Sequence, residues 1–406
     1  MSVERQLFAA LRQGGMLDVP DGFSVALVHQ EIPGVVLAEI DAFIRVLDRV
    51  TTRPAWQAAV TASGPAIARP QRNEVCFFSA WDFHLPPGRP DRWQLIECND
   101  NGSGLFFAAL LNRAFYETVG LAARAAVEAP VTAAPFDERV TGILGREAEA
   151  FFGGPPPGLA LIVDDARSIR EGKFRHEFVM LRDLCRRGGW QAEVGSPEET
   201  TWDGGGLSFH GEPVSFVINR STDFFLEADA LAPLRAAYES GSVFVAPNPF
   251  TYATRSDKRL LELLSRPVSD DALGILPDER LLLTAHVPET QLLRPENLMN
   301  LARHKEDWFF KPCHGFASHG VLTGPQVGRS RLHQLLGKGV AYVAQRLAPK
   351  SRLDAIDGTA LWADMRVWAY RGERLMLSGR ASREPDRVDL APPGGWLATY
   401  AQSPKG

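Results

Sequence analysis

The hydrophobic pattern along the chain changes its period several times. Over the first 65 residues apolar side chains recur every three to four positions, which predicts helices. Residues 75–83 and 93–98 are instead rich in β-branched and aromatic side chains, and the stretch between them, 85–91, is dense in turn-forming residues. This pattern predicts a β-hairpin. A helix is expected to follow over 104–119 and to pack on that hairpin.

The next change of pattern marks a boundary. Residues 153–158 read Gly-Gly-Pro-Pro-Pro-Gly, a segment through which neither a helix nor a strand can continue. The apolar run Leu159–Val163, followed by two aspartates and a helix near 173–187, predicts a buried parallel strand with its crossover helix. A strand, a helix and a further strand follow between residues 214 and 246. We therefore expect a small parallel α/β domain here.

Helices and strands alternate again in the last part of the chain. Helices are expected over 256–264 and 329–336, and strands over 308–310, 340–344, 361–370 and 374–379. The predicted organisation has three parts, namely residues 1–152, an inserted domain at 153–247, and residues 248–406. The predicted fold class is α/β.

The amino-acid composition argues against several classes of function. The 406 residues are 45% hydrophobic and 23% charged, the balance of a globular protein. The 44 basic and 49 acidic side chains give a formal charge of -5, and no basic block is long enough to follow a phosphate backbone, which argues against nucleic acid as the main partner. No apolar run approaches the ~20 residues that cross a bilayer. The four cysteines lack CxxC or Cys/His spacing, so we expect no zinc site, no disulfide framework and a cytoplasmic location.

The predicted hairpin carries the first candidate site. Residues two apart in a strand share a face, so Glu97 and Asn99 point the same way, and the hairpin partner would bring Asp82 beside them. Three oxygen donors of this kind suit Mg²⁺, whose remaining positions are filled by water and nucleotide phosphate. The alternative is turn chemistry alone, because Asn and Asp before Gly commonly form a loop.

A second candidate lies where the strand over 308–310 ends. Lys311 supplies a positive charge for a phosphate, and Gly315 and Gly320 in the following loop would let backbone N–H groups approach phosphate oxygens. The GxxxxGK[ST] spacing of a Walker A loop is absent. The alternative is a hairpin with a surface lysine.

A third candidate group spans the predicted strands near the end of the chain. Gln345 lies where a strand leads into a connector, whose backbone would offer donors and acceptors to an adenine edge. Asp364, Arg366 and Arg380 would lie at the polar end of neighbouring strands. The alternative is that Asp364 and Arg366 form a structural ion pair.

In their order along the chain these segments resemble the ATP-grasp superfamily, and in particular its circularly permuted branch, which contains eukaryotic-type glutathione synthetase. The family's Glu-x-Asn metal pair, normally near the C-terminus, appears here at Glu97 and Asn99. The resemblance covers roughly residues 70–120 and 250–400. It implies an ATP-grasp core of antiparallel sheets with helices, split by the small parallel α/β domain.

The resemblance also implies roles for individual residues. The ligands of Mg²⁺ would be Asp82, Glu97 and Asn99. The residues that bind ATP would be Lys258, Lys311, Gly315, Ser318, Gly320, Gln345 and Asp364. The catalytic residues would be Arg380, Arg366 and Lys311, and the residues that bind substrate would be Arg220, Asn219 and Arg380.

The activity implied by the resemblance is that of an ATP- and Mg²⁺-dependent ligase that joins a carboxylate to an amine through an acylphosphate. Its partners would be small-molecule acids and amines. Whether the chain forms a homodimer is left open. The chain departs from glutathione synthetase in lacking an acid in the phosphate loop, in Ala80 where an arginine is expected, and in Gln345 where the hinge has glutamate. These departures argue against glutathione as the product. They also leave two alternatives, a kinase on the same fold and a non-catalytic nucleotide-binding protein.

Overall fold

The structure of the protein is a computed structural model. The ranges that it describes are 3–16, 24–121, 126–267, 271–314, 320–337, 339–386 and 390–403. Within them the helices are α1 (Val3–Gln13), α2 (Gly34–Thr51), α3 (Pro54–Ala62), α4 (Leu105–Thr118), α5 (Ala133–Phe152), α6 (Ala166–Glu171), α7 (Arg175–Arg187), α8 (Ala232–Ser240), α9 (Pro249–Thr251), α10 (Leu260–Ser265), α11 (Pro277–His286), α12 (Pro295–Arg303) and α13 (Arg329–Gly337).

The strands of the described ranges form three sheets. They are β1 (Val25–Ile32), β2 (Ser79–His84), β3 (Gln94–Asn99), β4 (Leu159–Val163), β5 (Ala192–Gly195), β6 (Thr200–Trp202), β7 (Leu207–Phe209), β8 (Glu212–Asn219), β9 (Phe244–Ala246), β10 (Thr290–Leu292), β11 (Trp308–Pro312), β12 (Leu322–Thr323), β13 (Tyr342–Arg346), β14 (Ser351–Asp354), β15 (Ala360–Tyr370), β16 (Glu373–Ser382) and β17 (Gly395–Ala401).

The large sheet has the strand order β1-β17-β16-β15-β2-β3, with β14 also paired to β15. Its strands are antiparallel except for β1, which runs parallel to β17. The predicted hairpin of β2 and β3 is confirmed, and so is the helix α4 that follows it. The expectation of helices throughout the first 65 residues is wrong at β1. The partner of that strand lies near the other end of the chain, so no local periodicity reveals it.

The two smaller sheets come from the later parts of the chain. One has the order β10-β13-β11-β12, and its strand β13 begins at Tyr342, two residues later than predicted. The other has the order β5-β4-β8-β7-β6, with β9 also paired to β8. The strands β5, β4, β8 and β9 are parallel, as the pattern predicts for this segment, whereas β6 and β7 add an antiparallel edge. The boundaries of three separate domains stay a prediction.

One predicted helix begins later than expected. The helix predicted over 256–264 is α10, which starts at Leu260, and a π-helical turn over Tyr252–Ser256 precedes it. In a π-helix the hydrogen bonds join residues five apart rather than four, so the side chains in this turn do not follow the period of an α-helix. None of the helices in the described ranges is both long and apolar enough to cross a membrane.

Hydrophobic clusters cover both faces of the large sheet. On one face Trp368 of β15 belongs to the same cluster as Phe107 of α4, and on the other Met365 and Val367 pack in a cluster with Phe43 of α2. Alternate side chains of a strand point to opposite faces, so β15 serves both clusters. Near the start of β15 the face under α4 changes from apolar to charged side chains. The candidate site begins there.

Candidate functional site

The strand register assembles the charged residues on one face of the large sheet. Asp82 of β2 lies opposite Glu97 of β3 on one side and opposite Arg366 of β15 on the other. Asp364 is two residues from Arg366 on β15, so it lies on the same face of the sheet. It is opposite Arg380 of β16. Four neighbouring strands thus place these five side chains together, although the sequence separates the first from the last by nearly 300 residues.

Asp82 is held by two arginines. Arg366 donates from Nε to Asp82 Oδ1 at 2.6 Å and from Nη2 to Oδ2 at 2.8 Å, while Arg380 donates from Nη2 to Oδ2 at 2.9 Å. Arg380 also bonds Asp364, with 2.6 Å between Nη2 and Oδ2. The alternative considered above, an ion pair between Asp364 and Arg366, therefore does not form. Each acid is instead bonded across the sheet, which fixes the direction of both guanidinium groups.

The three predicted metal ligands lie together. Asn99 Nδ2 is 3.4 Å from both Asp82 Oδ2 and Glu97 Oε1, and Lys258 Nζ is 3.4 Å from Glu97 Oε2. Burial alone would raise the pKa of Glu97, but the surrounding cations, above all Lys258, then Lys311, lower it to about 2. Glu97 is thus ionised at any physiological pH and presents a permanent negative charge.

This donor set fits Mg²⁺ when a nucleotide supplies further oxygens. Glu97 and the amide of Asn99 converge, and a half turn of that amide would direct its oxygen toward the carboxylates. Asp82 already accepts three bonds from arginine, so it has less capacity left for a cation. No group of three or more His, Cys, Asp or Glu side chains in the described ranges is arranged to hold a metal by itself. Such a sparse set matches Mg²⁺, which is often held by one or two carboxylates plus phosphate.

The second sheet brings Lys311 to the edge of the first. Lys311 Nζ donates to Gln345 Oε1 at 2.6 Å, and Gln345 Nε2 donates to the carbonyl oxygen of Ile96 on β3 at 3.2 Å. Burial lowers the pKa of Lys311 to about 8, against the opposing attraction of Glu97. The strand β11 therefore places a buried ammonium group close to β3, and the alternative of a surface lysine is wrong.

The loop that was predicted to bind phosphate is only partly described. Gly320 has a φ of 74°, a value that favours glycine, and Tyr342 donates from its hydroxyl to the Gly320 carbonyl oxygen at 3.4 Å. Gly315 and Ser318 lie outside the described residues. Their predicted contacts with phosphate stay a prediction.

Two of the three residues predicted to bind substrate lie at the end of β8. Arg220 is buried and donates to Glu177 Oε2 at 3.1 Å and to the carbonyl oxygen of Asn101 at 2.9 Å. Asn219 Nδ2 donates to the carbonyl oxygen of Pro247 at 3.2 Å. These contacts tie the loop after β3 to the third sheet. They describe a structural role for Arg220 and leave its contact with substrate a prediction.

Sequence reasoning missed two members of the cluster, His84 and Lys350. His84 Nδ1 lies 2.7 Å from the carbonyl oxygen of Ala348, and burial lowers the pKa of His84 to about 3, which keeps the ring neutral. Lys350 is buried, and burial lowers its pKa to about 8. Neither belongs to a motif. The alternation of β2 does reveal His84, because Asp82 and His84 share a face.

Among the residues that the structure describes, cations outnumber carboxylates in this cluster. It brings together Lys258, Lys311, Lys350, Arg366 and Arg380 with the carboxylates Asp82, Glu97 and Asp364, and Asp386 also acts on Lys350. Keeping an excess of positive charge away from water costs free energy unless an anion compensates it. The arrangement is therefore suited to an anionic ligand, such as a nucleotide phosphate chain.

Comparisons with known proteins identify the fold. No protein-family model and no curated protein matches the sequence. Among solved structures, a glutathione synthetase-like effector of Globodera pallida in its apo form aligns over 99% of this chain and 98% of its own, at 9% identity and a TM-score of 0.60. A candidate gamma-glutamylcysteine synthetase of Methylobacillus flagellatus aligns over 91% and 87%, at 12% identity and a TM-score of 0.47. The ATP-grasp ligase PsnB with a minimal precursor aligns over 60% and 90%, at 14% identity and a TM-score of 0.29.

The first of these likenesses extends over nearly the whole of both chains and shows the fold. The chain has the α/β architecture of a glutathione synthetase-like protein, which confirms the predicted ATP-grasp-like fold class. At this identity the likeness says nothing about individual site residues. The expectation that the chain is a circularly permuted member of the ATP-grasp superfamily stays a prediction.

Proposed function

We propose that the protein is an ATP- and Mg²⁺-dependent ligase that joins a carboxylate to an amine. The observation that carries the proposal is the cluster in which, among the described residues, cations outnumber carboxylates, with Asn99 beside two of the acids. A site of this composition suits a nucleotide bound with a divalent cation. The fold of a glutathione synthetase-like protein supports the same reading.

The reaction has two steps that balance without an oxidant or reductant. A carboxylate oxygen of the acid substrate attacks the γ-phosphorus of ATP, the bond to the ADP oxygen breaks, and ADP leaves. The amine nitrogen then attacks the acyl carbon, loses a proton, and displaces inorganic phosphate. Neither step needs a nucleophile from the protein, so its contribution is positioning and charge stabilisation.

The described residues divide this work between them. Glu97 and Asn99, with the remaining capacity of Asp82, would hold Mg²⁺, which neutralises phosphate charge and orients the phosphate chain. Lys258 and Lys311 would bind phosphate oxygens from the side of β3 and β11. Their ammonium groups offset charge that develops on ADP as it leaves.

The arginines would act at the other end of the phosphate chain. Arg380 is held in place by Asp364 and Asp82, so its direction is fixed before a ligand arrives. A guanidinium group that needs no reorganisation stabilises developing negative charge at low cost. Arg380 would bind the acylphosphate, and Arg366 would support it by fixing Asp82.

A second candidate function is a nucleotide-binding protein without catalysis. Two observations favour it: Asp82 is engaged by two arginines, and residues 315–319 read Gly-Phe-Ala-Ser-His, with no acid to hold a further metal ion. A kinase on the same fold is the third candidate. The three differ in their products, so they can be separated by experiment.

Nucleotide binding is the first test. Titration calorimetry with Mg-ATP is expected to show binding that weakens at least tenfold in Lys311→Ala and in Glu97→Ala, because each loses a charged contact. Lys173→Ala and Glu212→Ala, which remove exposed charges elsewhere, serve as matched controls. Unchanged ATP affinity in both site variants would remove the assignment of this site to ATP.

Product analysis is the second test. With a panel of carboxylic acids, ATP and hydroxylamine, a ligase is expected to release ADP and form a hydroxamate, since hydroxylamine traps an acylphosphate. Sustained ADP release with an acid would then require an amine. ADP release with a stable phosphate ester and no amine requirement identifies the kinase. Binding of ATP with no product under any of these conditions identifies the non-catalytic protein.

A further inference from the structure

Gln345 lies on the face of the second sheet that carries Lys311. Gln345 of β13 pairs with Phe309 of β11, and Lys311 of β11 pairs with Val343, so the side chains of Gln345 and Lys311 are diagonal neighbours on one face. The opposite face of β11 packs through Phe310 into an apolar cluster. The strand register therefore brings a polar pair to the face that does not belong to this core.

The side chain of Gln345 joins three strands. Its Oε1 accepts from Lys311 Nζ at 2.6 Å, and its Nε2 donates to the carbonyl oxygen of Ile96 on β3 at 3.2 Å. Gln345 is only 1% exposed, so water does not compete for these two hydrogen bonds. One amide thus connects β13 and β11 to the strand that carries Glu97 and Asn99.

The chemistry of the two partners requires a particular kind of side chain at position 345. A lysine ammonium group only donates and a backbone carbonyl only accepts, so the group between them must accept on one side and donate on the other. A carboxylate would place an oxygen against the carbonyl of Ile96, and an apolar side chain would leave both partners unpaired. The amide of Gln345 meets both demands and carries no charge.

The neutrality of Gln345 matters for an anionic ligand. An ionised partner would compensate the charge of Lys311, whereas the amide directs the ammonium group and leaves its charge for the ligand. The ammonium group has three N–H groups, and within the described ranges the bond to Gln345 accounts for one of them. A long side chain that is already held in place loses less conformational freedom when a ligand binds.

On the basis of the proposed function, we propose that Gln345 is a positioning residue that holds Lys311 for a phosphate oxygen of the nucleotide. Two hydrogen bonds between buried groups support this role. The side chain of Gln345 acts through Lys311 and not by touching the nucleotide. This role differs from the one expected from the sequence, in which the connector after β13 offers its backbone to adenine.

The first experiment is a double-mutant cycle with Gln345→Met and Lys311→Met. Displacement of a fluorescent ATP analogue by Mg-ATP measures the affinity of the unmodified protein, the single variants and the double variant. Gln345→Met is expected to lose about five- to tenfold in affinity. Added to Lys311→Met, it is expected to cause no further loss, because no ammonium group is left to hold. The exposed Gln334→Met on α13 is the matched control, and thermal unfolding verifies that each variant is folded.

The cycle separates positioning from a general structural role. A loss of the same factor in the presence and in the absence of Lys311 would show that Gln345 affects the site independently of that lysine, and it would overturn the proposal. Unchanged affinity in Gln345→Met would overturn it as well. If the unmodified protein does not bind Mg-ATP, the proposed function itself fails, which is a different result from either of these.

The second experiment uses Gln345→Glu, which has nearly the same shape and keeps the acceptor for Lys311. Burial lowers the pKa of Lys311 to about 8, so affinity for Mg-ATP falls as the pH rises above 8 and the ammonium group loses its proton. The other charged groups that act on Lys311 are the same in both proteins, namely Glu97, Lys258, Asp82 and Lys350.

A carboxylate next to Lys311 favours the charged form, so in Gln345→Glu the midpoint of this fall is expected to move up by about one pH unit. A residue with only a structural role would not move it. The same midpoint in Gln345→Glu and in the unmodified protein would therefore overturn the proposal. This comparison holds even where Gln345→Met does not fold or Lys311→Met binds too weakly for the cycle.

Discussion

Lys311 carries a buried positive charge that costs stability. The residue is 7% exposed and its ammonium group bonds Gln345 at 2.6 Å, yet burial still lowers its pKa to about 8. The folded protein therefore holds this proton less tightly than the unfolded chain does. A charge kept at such a cost is expected where a ligand compensates it.

Replacing Lys311 by methionine is therefore expected to stabilise the folded protein at pH 7. Its pKa is lower in the folded state, so the free energy of unfolding rises with pH from about 8 toward the unfolded value, and the charged form is the destabilising one. The expected gain in Lys311→Met at pH 7 is about 1–3 kcal/mol, together with loss of ATP binding. Urea unfolding at pH 7 and pH 10 measures both the gain and the smaller dependence on pH. A variant less stable than Lys305→Met, a surface control, would contradict this account.

Single residues were predictable from the sequence where a strand fixes their direction. The pairing of Asp82 with Glu97 and Asn99 follows from the hairpin, because its two strands are close in sequence and alternate faces. Lys350 was not predictable, because its place next to β15 depends on β14 pairing with that strand. The partners of Arg366 and Asp364 were left open by the sequence, because they depend on β15 pairing with β2 and β16.

Among the elements, β15 has the central part in forming the site. It pairs with β2, β14 and β16, and it provides both Asp364 and Arg366 on one face while its other face fills the core. The hydrogen bond from Arg366 to Asp82 joins β15 to β2 in the strand register that brings the site residues together. A slip of one residue would direct both charges into the core.

Arg366→Met is expected to lower the free energy of unfolding by about 3 kcal/mol, because the buried Asp82 loses its bidentate partner. Replacing both residues, in Arg366→Met with Asp82→Leu, is expected to cost less, since no buried acid is then left without that partner. The matched control is Arg352→Met on β14, whose pair with Asp354 is exposed and contributes at most about 1 kcal/mol. Denaturant unfolding of the four proteins measures these differences. Equal losses in Arg366→Met and Arg352→Met would show that the buried pair does not fix the strand register.

Local patterns predicted most elements, and their errors have physical causes. The strands β4, β8, β9, β11, β15 and β16 and the helices α4, α7, α8 and α13 were expected near their observed positions. Strand β1 was missed because its pairing partner is β17. The register between these two strands is set by the complete sheet and not by a local pattern. The strand order of the sheets also could not be derived, because distant segments form it.

In the whole molecule, the loop after β3 connects that strand to the third sheet. Glu177 of α7 accepts the backbone N–H groups of Gly104 at 2.8 Å and Phe107 at 2.8 Å, at the start of α4, and also binds Arg220. Asn101 in the same loop donates to the carbonyl oxygen of Arg220 at 2.6 Å. One buried pair thus joins the inserted segment, the start of α4 and the strand of Glu97 and Asn99. No local pattern predicts such a link, because its partners are some 70 or more residues apart.

Glu177→Gln is expected to weaken this link while changing little of the side chain's volume. The amide has one acceptor oxygen instead of two, so one N–H group or Arg220 is left without its bond, and the buried guanidinium loses its counter-charge. We expect a loss of about 3 kcal/mol in the free energy of unfolding. Faster hydrogen exchange of the Gly104 and Phe107 amides and weaker binding of Mg-ATP should accompany it, because the loop that follows Asn99 is less restrained. Glu193→Gln, which removes an exposed acid from β5, is the matched control. If Mg-ATP binds Glu177→Gln as tightly as it binds this control while the two amides exchange faster, the loop would not contribute to the geometry of the site.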